Sequence, residues 1–215
     1  MPEQRSLSEI SDLDELKNNL GDCGRCVLGG SRINLVFGSG DPDASLMFVG
    51  EAPGFHEDQK GEPFVGAAGK LLDQLLKQIL GLDRNNVYIA NVLKCRPPEN
   101  RDPQPDEIST CKPFIMRQIE IVDPLIVVTL GNFSTRLLLD RTIYISKIHG
   151  EPIKTNKRYI FPIYHPAAAL YSTKTKELLI DDFKKLADLL IEVDRERERE
   201  QKEIELEGEE QLDLF

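Results

Sequence analysis

No run of eighteen or more apolar residues occurs in the 215-residue chain, so no membrane-spanning helix is expected. A basic-then-apolar leader is also missing: MPEQRSLSEISDLDELKNNL is acidic and amphipathic, which argues against a signal or transit peptide and for a cytoplasmic protein. Positive charge is in short supply, with 27 Lys and Arg against 37 Asp and Glu and a net charge of −10. A strongly electrostatic, non-specific DNA binder is therefore excluded. The deficit is uneven, however. Residues 192–215 hold eleven acids and four bases, a net −7, and residues 1–22 hold six and two, a net −4. The body between them is close to neutral, with bases gathered at Lys94, Arg96 and Arg101 and again from Lys147 to Arg158. A local DNA-facing surface stays possible.

Cysteine is scarce too: Cys23, Cys26, Cys95 and Cys111 are all there are. An even set in a cytoplasmic chain points to metal binding rather than disulfides. The CxxC in DCGRCVLGGSR lets two sulfurs reach one ion, whereas the Cys95–Cys111 spacing is less specific. With four thiolates and no histidine close in sequence, Zn(Cys)4 or an iron–sulfur cluster would each be chemically satisfied.

At 40% hydrophobic, the chain can bury a core. A helix is expected over about 10–20. Apolar runs rich in β-formers then alternate with helical patterns: strands over 45–50, 86–94, 124–131 and 158–165, and helices over 66–80, 106–122, 132–139 and 175–193. That alternation predicts an α/β fold, a three-layer αβα sandwich around a parallel sheet. Ligands belong at the carboxyl ends of such strands, where Gly50, Asn91, Gly131 and His165 fall. The domain is expected to span 1–193. Residues 194–215, with RERERE and QKEIELEGEE, read as a charged tail, helical or disordered.

The glycine-rich stretch after the first strand, GEAPGFHEDQKGEPFVGAAGK, is not a phosphate loop, because Ala67 stands where a lysine is required. A neutral planar ligand suits it better. Phe64 offers a stacking face, glycine amides offer donors, Asn91 can read a base edge, and His165 can donate where negative charge develops. Each also has a duller reading, as core packing for Phe64, a strand-end cap for Asn91 and a structural residue for His165.

The set GEAPG…ED, GEPFVGAAGKLLD, NVLKCRPPENRDPQPDE and HPAAAL, with four cysteines so placed, resembles the family 4 uracil-DNA glycosylases over about residues 23–190. Those are [4Fe-4S] enzymes common in thermophilic archaea and bacteria. The resemblance implies a four-stranded parallel sheet and a pocket for a flipped uracil, released by hydrolysis to leave an abasic site in single- or double-stranded DNA. It makes Cys23, Cys26, Cys95 and Cys111 the cluster ligands, has Gly50, Glu51 and Ala52 line the pocket, Phe64 stack on uracil, Asn91 read its polar edge, and His165 bond its O2. Family 1 relatives have an aspartate where Ala52 stands, so the catalytic carboxylate is Glu51 or Glu57, with exclusion of thymine as the other role for Glu57. In HPAAAL, Ala169 and Leu170 are the expected DNA wedge. No histidine lies between Cys95 and Cys111, unlike the covalent uracil-trapping branch. The terminal QLDLF resembles sliding-clamp-binding peptides of the PCNA type, with Gln211, Leu214 and Phe215 as anchors. The core is expected to be monomeric. The competing reading is a non-catalytic nucleobase-binding module stabilised by zinc or a cluster.

Overall fold

The computed structural model describes residues 6–212, with side chains placed through residue 197 and at 199. Its first helix, α1 (Leu13–Leu20), begins where the Asp12 carboxylate accepts from the Glu15 amide at 2.7 Å and ends at Gly21, whose φ of +54° suits glycine. A two-residue edge strand, β1 (Ser39–Gly40), precedes β2 (Leu46–Gly50), and then come α2 (Phe55–Lys60) and α3 (Ala67–Leu75). The α3 helix runs on through a π-helical turn, Leu76–Leu80, and stops at Gly81 with φ +69°. Next are β3 (Tyr88–Asn91), α4 (Pro105–Val122), β4 (Ile126–Leu130), α5 (Asn132–Leu139) and α6 (Ile145–Ile148). The edge strand β5 (Ile153–Lys154), β6 (Tyr159–Ile163), α7 (Pro166–Ala169) and α8 (Thr173–Leu212) complete the order.

The sheet order is β1-β3-β2-β4-β6-β5, with the four central strands parallel and each short edge strand antiparallel to its neighbour. The expected four-stranded parallel sheet is therefore the centre of a six-stranded one. Both faces are covered, which is why strands such as LMFVG read as continuous apolar runs. Alternation still sorts their side chains. Leu46, Phe48, Ile126 and Val128 face α3 and α8, while Met47, Val49 and Val127 face α4. On α8, Leu179, Phe183, Leu186 and Leu189 recur at helical spacing on the buried face, and Phe183 stacks on Phe48 with centroids 6.1 Å apart. On the other side, α1 packs outside α4 through a smaller cluster of Ile10, Leu16, Leu20, Phe37 and Phe114. The three layers are in place.

The tail from 194 continues the α8 helix to Leu212; of the clamp-type peptide, Asp213–Phe215 lie outside the described residues. No described helix is long and apolar enough to cross a membrane.

Candidate active site

Parallel pairing sets Gly50 beside Asn91 at one end of the sheet, and Leu130 beside Ile163 brings Gly131 and His165 to that same end. A cavity of about 340 Å³ opens there. Glu51, Ala52, Glu57, Phe64, Asn91 and His165 all line it, so one strand-end hollow gathers the pocket side chains named from sequence. Gly50 lies behind this lining, against Asn91 and Phe64. A Cβ at that position would press into Asn91 Oδ1 and stand 2.7 Å from Phe64 Cζ, so only glycine lets the two side chains close over the strand end.

Asn91 is 2% exposed, and its Oδ1 is a buried acceptor with no hydrogen-bond partner. Leaving such an atom unpaired costs about 1–3 kcal/mol, so it points to a ligand that brings an N–H. Its backbone carbonyl, in contrast, is held at 2.7 Å by Lys94 Nζ. Phe64 packs beside His165, with centroids 5.6 Å apart and planes 28° off parallel. Its φ of +54° is left-handed, a strained state for a residue with a Cβ. Two devices hold it there. Arg84 donates to the Phe64 carbonyl at 2.8 Å and to that of Pro63, while pairing with Asp73 at 3.0 Å. Gly69, packed under the Phe64 backbone, leaves no room for a side chain of its own. Nothing local in sequence flags Arg84, which acts across twenty residues.

The two candidate carboxylates differ. Glu57 Oε1 accepts from both the Val65 and Gly66 amides at 2.9 Å, capping the start of α3 and fixing the loop that carries Phe64. Glu51 makes no side-chain hydrogen bond among the described residues. Burial, with the charge of Asp102 adding to it, pushes its pKa up to about 7. Glu51 is thus the carboxylate free to act, poised at a general base's working range.

His165 ends β6's excursion and caps α7. Its Nδ1 accepts from the Ala167 amide at 3.1 Å, so a neutral ring carries its proton on Nε2. Burial pulls its pKa down to about 4, against the opposing pull of Glu57. The ring is therefore a neutral donor at physiological pH.

The opposite lip is Pro97, Asn100 and Arg101, on a loop with two consecutive left-handed residues, Glu99 and Asn100. Arg101 is committed to Glu107 at 2.6 and 2.9 Å, and Arg96 bonds Asn100 at 2.7 Å while covering the exposed Phe55 ring. Lys94 corrects the sequence reading of a basic surface. At 1% exposed it faces inward, donating to Gln118 as well as to Asn91, while Gln118 bonds the Tyr88 hydroxyl and the Phe37 carbonyl. Burial lowers its pKa to about 7. Of the expected wedge pair, Ala169 is 3% exposed and packs in the core, whereas Leu170 is 42% exposed and projects, followed by Tyr171 at 91%.

All four cysteines are free thiols. They share one corner, since the fields of Cys111 and Cys26 reach Cys95, and those of Cys26 and Cys23 reach Cys111. Among the described residues, no three His, Cys, Asp or Glu side chains stand in a metal-holding arrangement. The surroundings nevertheless suit an anionic centre. Arg25 Nη1 lies 3.3 Å from Cys23 Sγ, Arg32 Nη1 lies 3.5 Å from Cys95 Sγ, and buried Lys94, which pairs with no described carboxylate, is drawn by Cys111 and Cys95. Cations converge on sulfur here.

Comparison with known proteins identifies the family. The uracil DNA glycosylase superfamily matches residues 37–187. A type-4 uracil-DNA glycosylase of Sulfurisphaera tokodaii is 48% identical over 190 residues, 85% of this chain and 86% of that protein. Those of Saccharolobus solfataricus and Archaeoglobus fulgidus are 45% and 43% identical, each over 84% of this chain and over 88% and 94% of their own lengths. The chain belongs to the uracil-DNA glycosylase superfamily, among its type-4 members.

Proposed function

We propose that this protein hydrolyses the N1–C1′ bond of deoxyuridine in DNA, releasing uracil and leaving an abasic site. The observation that carries this reading is the unpartnered Oδ1 of Asn91, a residue that lines a pocket together with Phe64. Uracil offers N3–H to that oxygen and O4 to the Asn91 amide group, whereas cytosine presents a lone pair at N3. Reaching the pocket requires the nucleotide to leave the stack.

As the glycosidic bond breaks, its electron pair passes to the uracil ring and the sugar becomes oxocarbenium-like. Neutral His165 donates from Nε2 to O2 as charge develops there, a contribution of about 10²–10³ in rate for a donor so placed. Ionised Glu51 orients a water and takes its proton as oxygen bonds to C1′. Uracil leaves as an anion and is protonated by solvent. Glu57 acts by fixing the Phe64 loop; exclusion of the thymine methyl group falls to this same wall. Leu170 and Tyr171 are the side chains that fill the space left by the base.

Cys23, Cys26, Cys95 and Cys111 are proposed to hold a [4Fe-4S] cluster, with zinc as the alternative; the all-sulfur donor set and the surrounding cations support this. When bound, the group would cross-link the segments around residues 23–26, 95 and 111, and glycosidic hydrolysis asks no electrons of it. Iron content and visible absorbance decide between the two. Gln211, Leu214 and Phe215 are proposed as the anchors of a sliding-clamp contact, on the resemblance of QLDLF to clamp-binding peptides. Removing 211–215 abolishes clamp binding and leaves excision intact.

The test of the activity is base release from matched oligonucleotides holding uracil, thymine or cytosine at one position, in chelator and without added cofactor. Release of uracil alone supports the reading. Tight binding of uracil-containing DNA without release favours the binding module.

A further inference from the structure

A second hollow, about 520 Å³, lies beside the pocket mouth between α3 and the α7–α8 junction. The two concavities share their walls. On α7, Ala167 lines the pocket and Ala169 the hollow; on α3, Ala68 lines the pocket and Ala67 the hollow. The exposed Leu170 and Tyr171 form its rim.

Its charge sets it apart in a chain of net −10. Lys70 and Lys176 line it, and no acidic residue is among its lining, whereas the pocket next door holds Glu51 and Glu57. Both lysines are exposed, and neither makes an ion pair among the described residues. Some surface lysines are answered, Lys154 by Glu196, Lys184 by Asp181 and Lys185 by Glu151, while others such as Lys60, Lys77 and Lys157 make no ion pair among the described residues either. What marks Lys70 and Lys176 is their place beside the pocket. The remaining lining is neutral and polar, including Gln74, Ser172 and Thr173, with the Ser172 hydroxyl turned to cap α8 by accepting from the Thr175 amide at 3.2 Å. Two lysines with no acidic residue in the lining, in a concavity walled by the same two helices as the pocket, suit an anion that arrives with the substrate.

We propose that this groove seats the phosphates of the DNA strand bearing the flipped uridine, on one side of that nucleotide, with Lys70 and Lys176 each neutralising one phosphate. The proposal rests on the glycosylase reading and adds a strand track to it. It also shows how an acidic chain holds DNA: the attractive charge is confined to where the backbone passes.

The probe is single-stranded DNA containing one deoxyuridine, extended by several nucleotides on its 5′ side only, its 3′ side only, or both. Binding to the full-length protein is measured across a salt series, with uracil release as a separate readout for the pocket. For Lys70→Gln with Lys176→Gln, the slope of log K against log salt is expected to flatten by about 1.4, at roughly 0.7 per phosphate contact on a single strand. Affinity at moderate salt falls on the order of tenfold, and the loss appears with DNA extended on one side but not the other. Lys154→Gln with Lys157→Gln, an equal charge change at the opposite end of the sheet, leaves slope and affinity unchanged. An unchanged slope in the groove variant, or an equal loss from the distant pair, overturns the proposal. Because the slope is read by binding, it decides the groove even if no uracil is released.

Discussion

The pocket and the cysteine corner both bury polar groups, and they treat them in opposite ways. In the pocket the groups are kept neutral or unpaired: Asn91 Oδ1 has no partner, Glu51 is raised to about 7, and His165 is lowered to about 4. At the corner charge is gathered, with Arg25 and Arg32 aimed at sulfur and Lys94 buried beside Cys95 and Cys111. One region keeps its groups neutral or unpaired; the other sets cations against four thiols. Lys94 belongs to both, since its amine grips the Asn91 carbonyl. Sites that do chemistry on a neutral base can thus be stiffened by charge placed one step behind them.

The sharpest break in this contrast comes from Glu51→Gln. Loss of the base is expected to lower the single-turnover rate by about 10²–10⁴. In the wild type the rate should rise with pH through about 7 as Glu51 ionises, and the variant should lose that rise. Stability gives the opposite sign. Folded Glu51 keeps its proton between about pH 4.5 and 7, where the unfolded chain has lost it, so its burial costs stability increasingly across that window. Melting at pH 8 should therefore show the variant stabilised, on the order of 1 kcal/mol after discounting for its partial exposure. His165→Ala comes next, with an expected loss of about 10²–10³ in rate. Because His165 stays neutral down to about pH 4, the pH dependence near 7 should persist in that variant.

Lys94→Met tests the link between the regions. It leaves the Asn91 carbonyl and the Gln118 oxygen without their donor, at a cost of about 1–3 kcal/mol in stability. If Lys94 positions Asn91, the affinity for free uracil falls more than affinity for undamaged DNA; equal losses would mark a merely structural lysine. The smallest effect is expected from Glu57→Gln, whose amide oxygen can still accept from Val65 and Gly66. Glu57→Ala should cost far more, and similar rates for the two variants would return the carboxylate role to Glu57.

Much of the pocket was legible because strand ends are. SLMFV, NVYIAN, PLIVVTL and RYIFPI announce buried parallel strands, and the residues just past them must converge. The corner and the supports were not. Lys94 follows an apolar strand and precedes Cys95, and its inward turn depends on Gln118, twenty-four residues away. Arg84 reaches back twenty residues to pin Phe64. The edge strands β1 and β5 have two residues each, too few for any periodicity. The burial of Ala169 was not legible because HPAAAL reads as a loop, whereas its alanines form the short helix α7 and turn Ala169 into the core while Leu170 stays exposed.

The central claim is that the unpaired Oδ1 of Asn91 selects a ring with an N–H at position 3. Its most direct test is excision of uracil against N3-methyluracil, placed in the same oligonucleotide at saturating protein. The account predicts rapid release of uracil and no measurable release of the methylated base. Comparable release of both would contradict it.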